Sequence, residues 1–471
     1  MASDASDLTH TNSVKPVDIQ IPKNNEPVSQ GPMSPMSWQQ EANRPQMRSR
    51  KNTGLEDYWE GPRDMNKHSK WPFFLRMHGS VLPKMLLPLT VVSVWSTLIT
   101  CLCRYVYALK VSSLLLTVLG FVVGMAISFR TSSAYERYTE GRKYWSQLVL
   151  VGQNMARTIW IHAKERDGQL GKEDLLRKIT ALNMIVAFAR ALEHKLRFEP
   201  GIDYEFFRDR VEYLDTFAKA AEADIPKPSR QRLAKKMGTK LGVPFAESNP
   251  RKRIKQSKKP LGNLPLEILN YLSAYVESIC VEETIKSGLY QNQIINGVVA
   301  LNEVLVGVER VLQTPLPVAY SIAISQITWV YVMMLPFQLW DDLRWVTIPG
   351  CIFAAYIILG IAAIGREIEN PFGMDVNDLP LDAYCEELEM DIDIIMSQPA
   401  PTPDDFMYKS SNMVLWPLSH SGFTDWMHRP KQDIRDALIT KTKSDMRARR
   451  SMNPERAEIA EKQAAAVSQD A

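Results

Sequence analysis

Apolar residues gather in four long runs, set as two pairs. The first run spans about Leu82 to Tyr107, and the second about Val111 to Phe129, ending at Arg130. Lys110 and its neighbours are all that separates them. The third run spans about Leu316 to Leu339 and the fourth about Val346 to Ile364, with Asp341-Asp342-Leu343-Arg344 as the turn between them. Each approaches the ~20 residues that cross a bilayer as a helix. The pattern predicts two transmembrane hairpins, at 67–129 with its entry segment and at 316–366.

Between the hairpins, over 130–315, the apolar period becomes three and four residues. Leu182, Ile185, Val186, Ala189 and Leu192 form one stripe, Leu269, Leu272, Val276 and Ile279 a second, and Val298, Leu301, Leu305, Val308 and Leu312 a third. Such stripes are the core faces of water-soluble helices. The fold class is therefore all-α: a polytopic membrane protein with four transmembrane helices and a helical cytosolic domain.

The stripes break over 224–262. There Lys227, Arg230, Arg232, Lys235, Lys236 and Lys240, then Arg251, Lys252, Arg253, Lys255, Lys258 and Lys259, face a single acid, Glu247. A solvated insertion, a surface for anionic lipid headgroups and an attractor of permeating anions near the cytosolic mouth all fit this basic loop. Residues 1–66 carry no apolar core and read as a disordered arm. Trp71-Pro72-Phe73-Phe74-Leu75, flanked by Lys70 and Arg76, suits a membrane interface. After the fourth run, 367–398 is acidic and partly helical. Residues 399–471 read as a peripheral or disordered tail, with one helix near 454–467.

Charge sets orientation. Arg63, Lys67, Lys70, Arg76 and Lys84 precede the first run, and Arg130, Arg137, Arg142 and Lys143 follow the second. The opposite turns hold Arg104, Lys110 and Arg344. The positive-inside rule places both termini and the central region in the cytosol. A net charge of +3 over 471 residues is too small to imply a nucleic-acid partner. The five cysteines, Cys101, Cys103, Cys280, Cys351 and Cys385, form no CxxC and read as reduced thiols. No Gly-rich phosphate loop, HExxH or GxSxG occurs, so the chain is not expected to be an enzyme. Asp341-Asp342 reads as a solvated hairpin tip.

Three segments carry a resemblance. Phe129-Arg130-Thr131-Ser132-Ser133-Ala134-Tyr135-Glu136-Arg137-Tyr138-Thr139-Glu140-Gly141-Arg142-Lys143-Tyr144-Trp145 resembles the run that ends the second helix in the bestrophin family. Glu309 to Ser321 is similar to that family's entry into its third helix. Ile368-Glu369-Asn370-Pro371-Phe372-Gly373, Asp375 and Asn377-Asp378-Leu379-Pro380-Leu381-Asp382 resemble the ENPFG run after its fourth. The resemblance covers about 68–390. It implies a homopentamer around one axial pore, lined by the second helix and conducting chloride and other small anions.

The resemblance also assigns residues. Leu114, Val118 and Val122, one helical face counted back from Arg130, match the family's narrow apolar neck. Gly120 and Gly124 form a GxxxG step for close helix packing, within one subunit or between copies. Arg130 and Arg137 share a face at the cytosolic mouth. They are read either as an electropositive wall or as anchors paired with acids such as Glu303 or Glu309. Animal members hold calcium in a clasp partly built from acids after NPFG. Asp375 and Asp378 match two of these acids, but Met374 stands where a third would be and offers no hard oxygen. No cofactor is expected apart from calcium, for which Asp375 and Asp378 stand as a candidate but incomplete clasp, and the reading favoured for Asp378 is a cap on the next helix. An active transporter and a non-conducting scaffold remain as alternatives. The transporter would call for charges deep within the spans, where none is found.

Overall fold

The computed structural model describes residues 79–107, 113–199, 207–222 and 262–452. These lie in one unit, Met65–Ala471, while the other unit, Met1–Asp64, lies outside the described residues. The N-terminal arm, the Trp71–Leu75 entry segment, nearly all of the basic loop and the stretch near 454–467 also fall outside them. Among the described residues every regular element is a helix.

The first apolar run forms α1, Leu82–Tyr105, with Pro83 in its first turn, where a missing N–H costs no helical bond. The second forms α2, Ser113–His162, which does not stop at Arg130. At 1.5 Å per residue its 50 residues reach about 75 Å, more than twice the ~30 Å of a bilayer's hydrocarbon. Its first half is apolar. Its second half supplies Trp145, Leu148, Met155, Ala156 and Ile159 to the main core. One continuous helix thus joins the apolar layer to the soluble core.

That core is closed by the three striped helices: α3, Gln169–Leu196; α6, Leu264–Val281; and α7, Gly288–Gln313. Short helices α4, Arg208–Val211, and α5, Phe217–Glu222, lie between them in sequence. Asn263 caps α6 by accepting a hydrogen bond from the Leu266 N–H. This is the normal use of Asn at a helix start.

The third and fourth runs form α8, Val318–Leu343, and α9, Thr347–Glu367. A 3₁₀ turn, Arg344–Val346, separates them, and Arg344 adopts a positive φ of 50°. Val332 of α8 and Ala355 and Leu359 of α9 are buried together with Met85 and Val92 of α1. The chain therefore doubles back at Arg344, whose guanidinium lies 5.4 Å from the Trp340 ring centre. Asp341 and Asp342, at the tip, are exposed.

After α9 a compact loop leads to α10, Leu381–Met396, which buries Leu381, Tyr384, Cys385, Leu388 and Ile392 in the main core. The tail is helical earlier than expected, with α11, Pro403–Met407, α12, Phe423–Met427, and α13, Lys431–Met452. All five cysteines are free thiols.

Candidate functional site

The apolar half of α2 has two faces. Leu116, Val123, Ile127, Arg130 and Ala134 are buried and recur at seven, four, three and four residues. Val123 and Ile127 pack with Ile324 of α8 and Ala362 of α9. The opposite arc carries Leu114, Val118 and Val122, which are 73%, 57% and 45% exposed in the chain. Phe121, Met125 and Phe129 are exposed on the same arc. Sequence reasoning passed over these three, although spacings of three and four residues from Val118 and Val122 already place them there.

The two glycines differ. A Cβ on Gly120 would stand 3.0 Å from the Tyr331 Oη and 3.1 Å from its ring, so this glycine lets α8 approach α2. A Cβ on Gly124 would meet nothing within 4 Å. The packing step within the subunit is therefore at Gly120 alone.

Below this half the ENPFG loop gathers the elements. Arg130, 5% exposed, donates from Nη2 to Glu369 Oε2 at 3.3 Å. Arg137 donates from Nε to the Glu369 carbonyl at 3.0 Å and from Nη2 to the Val311 carbonyl at 2.7 Å, and its Nη1 donates to the Thr314 carbonyl. It thereby satisfies carbonyls at the end of α7, which would otherwise lack partners. The arginine partners differ from those expected, because Glu309 pairs with Lys195. Arg130 is buried inside its own chain and its charge is met there, so it does not stand on an open wall. A Cβ on Gly141 would touch the Phe372 ring at 3.0 Å, which seats the loop directly against α2.

Asp378 is buried, and its Oδ2 accepts the Asp375 N–H at 2.7 Å. Pro380, not Asp378, holds the N-cap position of α10. The Asp378 carboxylate closes the loop, because Gly373 brings the backbone against it. Asp375 reaches the Lys84 Nζ at 3.2 Å, and Glu367 reaches the same nitrogen at 3.2 Å. Asn377 donates from Nδ2 to Glu367 Oε1 at 2.8 Å and to the Gly79 carbonyl at 3.0 Å. Among the described residues no three His, Cys, Asp or Glu side chains converge as a metal site.

Where α10 enters the core, Asp382 meets Glu193 of α3. Burial, with the hydrogen bond to Asp382, pushes the Glu193 carboxyl up to about 7. Burial opposes ionisation of Asp382 as well, but the Glu193 hydrogen bond and the Arg197 and Arg190 guanidinia hold it below its ordinary value. Arg197 donates from Nη1 to Glu193 at 2.7 Å and to Asp382 at 2.9 Å.

A family model described as the bacterial and fungal bestrophin protein matches residues 63–393. A voltage-dependent anion channel-forming protein of Synechocystis is 30% identical over 326 residues, covering 69% of this chain and 91% of its own. One from Nostoc is 33% identical over 300 residues, covering 63% and 81%. A variant of a bacterial bestrophin homologue from Klebsiella pneumoniae superposes with a TM-score of 0.50 at 24% identity, covering 68% of this chain and 100% of that one. The matched span contains α1 to nearly the end of α10, including both apolar pairs and the loop that binds Arg130 and Arg137. The chain therefore belongs to the bacterial and fungal bestrophin family.

Proposed function

We propose that the protein is a passive anion channel of the chloride type, assembled as a homopentamer, with an axial pore lined by the exposed arc of α2. The observation that carries this reading is that α2 presents an apolar stripe on one face while the opposite face is packed against α8 and α9. The curated relatives are named as anion channel-forming proteins. Among the described residues three helical stretches are long and apolar enough to cross a membrane: Leu82–Tyr105, Leu114–His162 and Val318–Glu367. The last doubles back at Arg344, so the reading gives four crossings, with both termini and the α3, α6, α7 core in the cytosol. Bilayer lipids would cover the outer apolar faces of α1, α8 and α9.

In this arrangement Leu114, Val118 and Val122, extended by Phe121, Met125 and Phe129, form stacked apolar rings. Such a constriction strips part of an ion's water and can gate by dewetting. The edges of Phe121 and Phe129 carry partial positive charge and can face an anion, which the aliphatic side chains cannot do.

Purified protein reconstituted in a planar bilayer tests the proposal. Under a chloride gradient the current should reverse near the chloride equilibrium potential and scale with protein added. Absence of current would favour a scaffold. Flux that needs a coupled ion gradient would favour a transporter. Reversal near the cation potential would overturn the anion assignment.

A further inference from the structure

The start of α1 and the loop after α9 meet around one ammonium group. Lys84 sits in the first turn of α1, and its Nζ lies 3.2 Å from both Glu367 Oε2, at the last residue of α9, and Asp375 Oδ2, in the loop. Glu367 is nearly buried, with 9% of its side chain exposed, while Lys84 and Asp375 are half exposed. Its second oxygen is taken by Asn377 Nδ2, which also holds the Gly79 carbonyl just ahead of α1. Two carboxylates from different elements thus converge on a lysine, and an amide nitrogen ties the second Glu367 oxygen to the Gly79 carbonyl.

This is the neighbourhood in which the family resemblance implies calcium, and the donor set does not suit it. Calcium takes six to eight oxygens at about 2.3–2.6 Å. Here the space between the two carboxylates is filled by a cation that the chain itself carries, and Asn377 presents its nitrogen. Asp378 Oδ2 faces the Asp375 N–H, and Met374 supplies no oxygen ligand.

We infer that Lys84 is a tethered cation that fastens the first turn of α1 to the end of α9 and the loop behind it, replacing a diffusible divalent cation at this position. The same loop holds Arg130 and Arg137 through Glu369 and rests on Gly141 through Phe372. The ammonium therefore links α1 to α2 by way of the loop, and does so whether or not calcium is present. Removing it leaves Glu367 and Asp375 facing each other uncompensated, with the Gly79 carbonyl beside them. With the ammonium gone, Glu367 Oε2 and Asp375 Oδ2 are open, and a turn of the Asn377 amide, which presents its oxygen and frees Glu367 Oε1 and the Gly79 carbonyl, completes with water an oxygen set that a hard divalent cation can take.

Calcium titration calorimetry and thermal melting of the full-length detergent-solubilised protein test this without reference to conduction, so they remain separate from the channel reading. The wild type should give no saturable calcium heat and the same melting temperature in chelator and in millimolar calcium. Lys84→Ala should melt several degrees lower in chelator and recover in calcium with a saturable binding heat, and Lys84→Ala with Asp375→Ala should lose that response. Lys84→Arg, which keeps the charge, should stay indifferent to calcium. Lys84→Gln is read in the same way should Lys84→Ala fail to fold. Saturable calcium binding by the wild type overturns the inference, and so does a folded Lys84 variant that lacks charge there yet gains no calcium binding.

Discussion

Glu193 and Asp382 meet as two carboxyl groups between α3 and the first turn of α10, and one proton between them decides their charge. Glu193 has its folded value raised to about 7 by burial, above the usual 4.5. A raised carboxyl contributes stability that is full below the unfolded value and is lost as pH climbs through the folded one. The window is therefore about pH 4.5 to 7, with stability falling as pH rises. Glu193→Gln holds the position permanently neutral, so the difference in melting temperature between pH 5 and pH 8 should shrink relative to wild type. An unchanged pH profile would place the proton elsewhere. Arg137 makes a second residue-scale case. Its planar fork satisfies carbonyls from Val311, Thr314 and Glu369 at once, and a lysine's compact ammonium cannot reproduce that geometry. Two of these bonds are half-buried and the one to Thr314 is exposed, so Arg137→Lys should cost about 1 kcal/mol, the net scale of a hydrogen bond, read as a lower denaturation midpoint. Both arginines were legible in the sequence as anchors below an apolar run. Their partner was not: Glu369 lies 239 residues from Arg130, and no local period connects them. Lys84 was legible only as one basic flank among several, because its two acids come from the far end of the fold.

At the scale of elements, long apolar runs and three-and-four stripes were enough to place α1, α2, α3, α6, α7, α8 and α9, because a helix buried on one side leaves a period of three and four and a helix apolar on all sides leaves an unbroken run. The continuity of α2 past Arg130 follows from the absence of any glycine or proline break until the helix is well inside the core: Gly141 and Gly152 are tolerated where Phe372 and Leu388 pack over them. Helix α13 was missed because its apolar positions are few, Ile434, Leu438 and Ile439 among charged neighbours, so it carries little periodic signal. The GxxxG step was visible as a spacing, yet the two positions do different things. Gly120 admits Tyr331 of α8, and Gly124 faces open space in the chain. Gly120→Leu should push α8 away and destabilise the subunit by the ~1–3 kcal/mol typical of overpacking, read as a lower melting temperature. Gly124→Leu should leave the subunit's fold intact. Any change in the assembled size of Gly124→Leu, measured by light scattering, would show that this position faces a second copy.

For the whole molecule, the decisive feature is a helix that is apolar on a face its own chain leaves uncovered. Copy number and pore register cannot be read from one chain's periodicity, since the contacts that fix them lie between chains, and the exposed arc of α2 is where those contacts would form. The arc also separates two explanations of Val118. Were Val118 a packing residue of the subunit core, truncation would open a cavity and cost stability in proportion to the lost methyl groups. It is instead 57% exposed, and surface truncations of this kind usually shift stability by no more than about 0.5 kcal/mol. If five copies bring their arcs together, Val118→Ala widens and wets a ring that otherwise resists water. Single-channel current should then rise while expression and melting temperature stay near wild type. Val118→Cys, after removal of the native cysteines, should be blocked by a neutral thiol reagent. Phe121→Ala should also raise current, but with a further consequence: removing the positive ring edge should weaken discrimination of anions over cations, seen as a reversal potential displaced from that of chloride. Unaltered conductance in Val118→Ala together with reduced folded yield would return the arc to subunit packing. Altered conductance in Phe121→Ala with no change at Val118 would shift the constriction toward Phe121, Met125 and Phe129, lower on the same face.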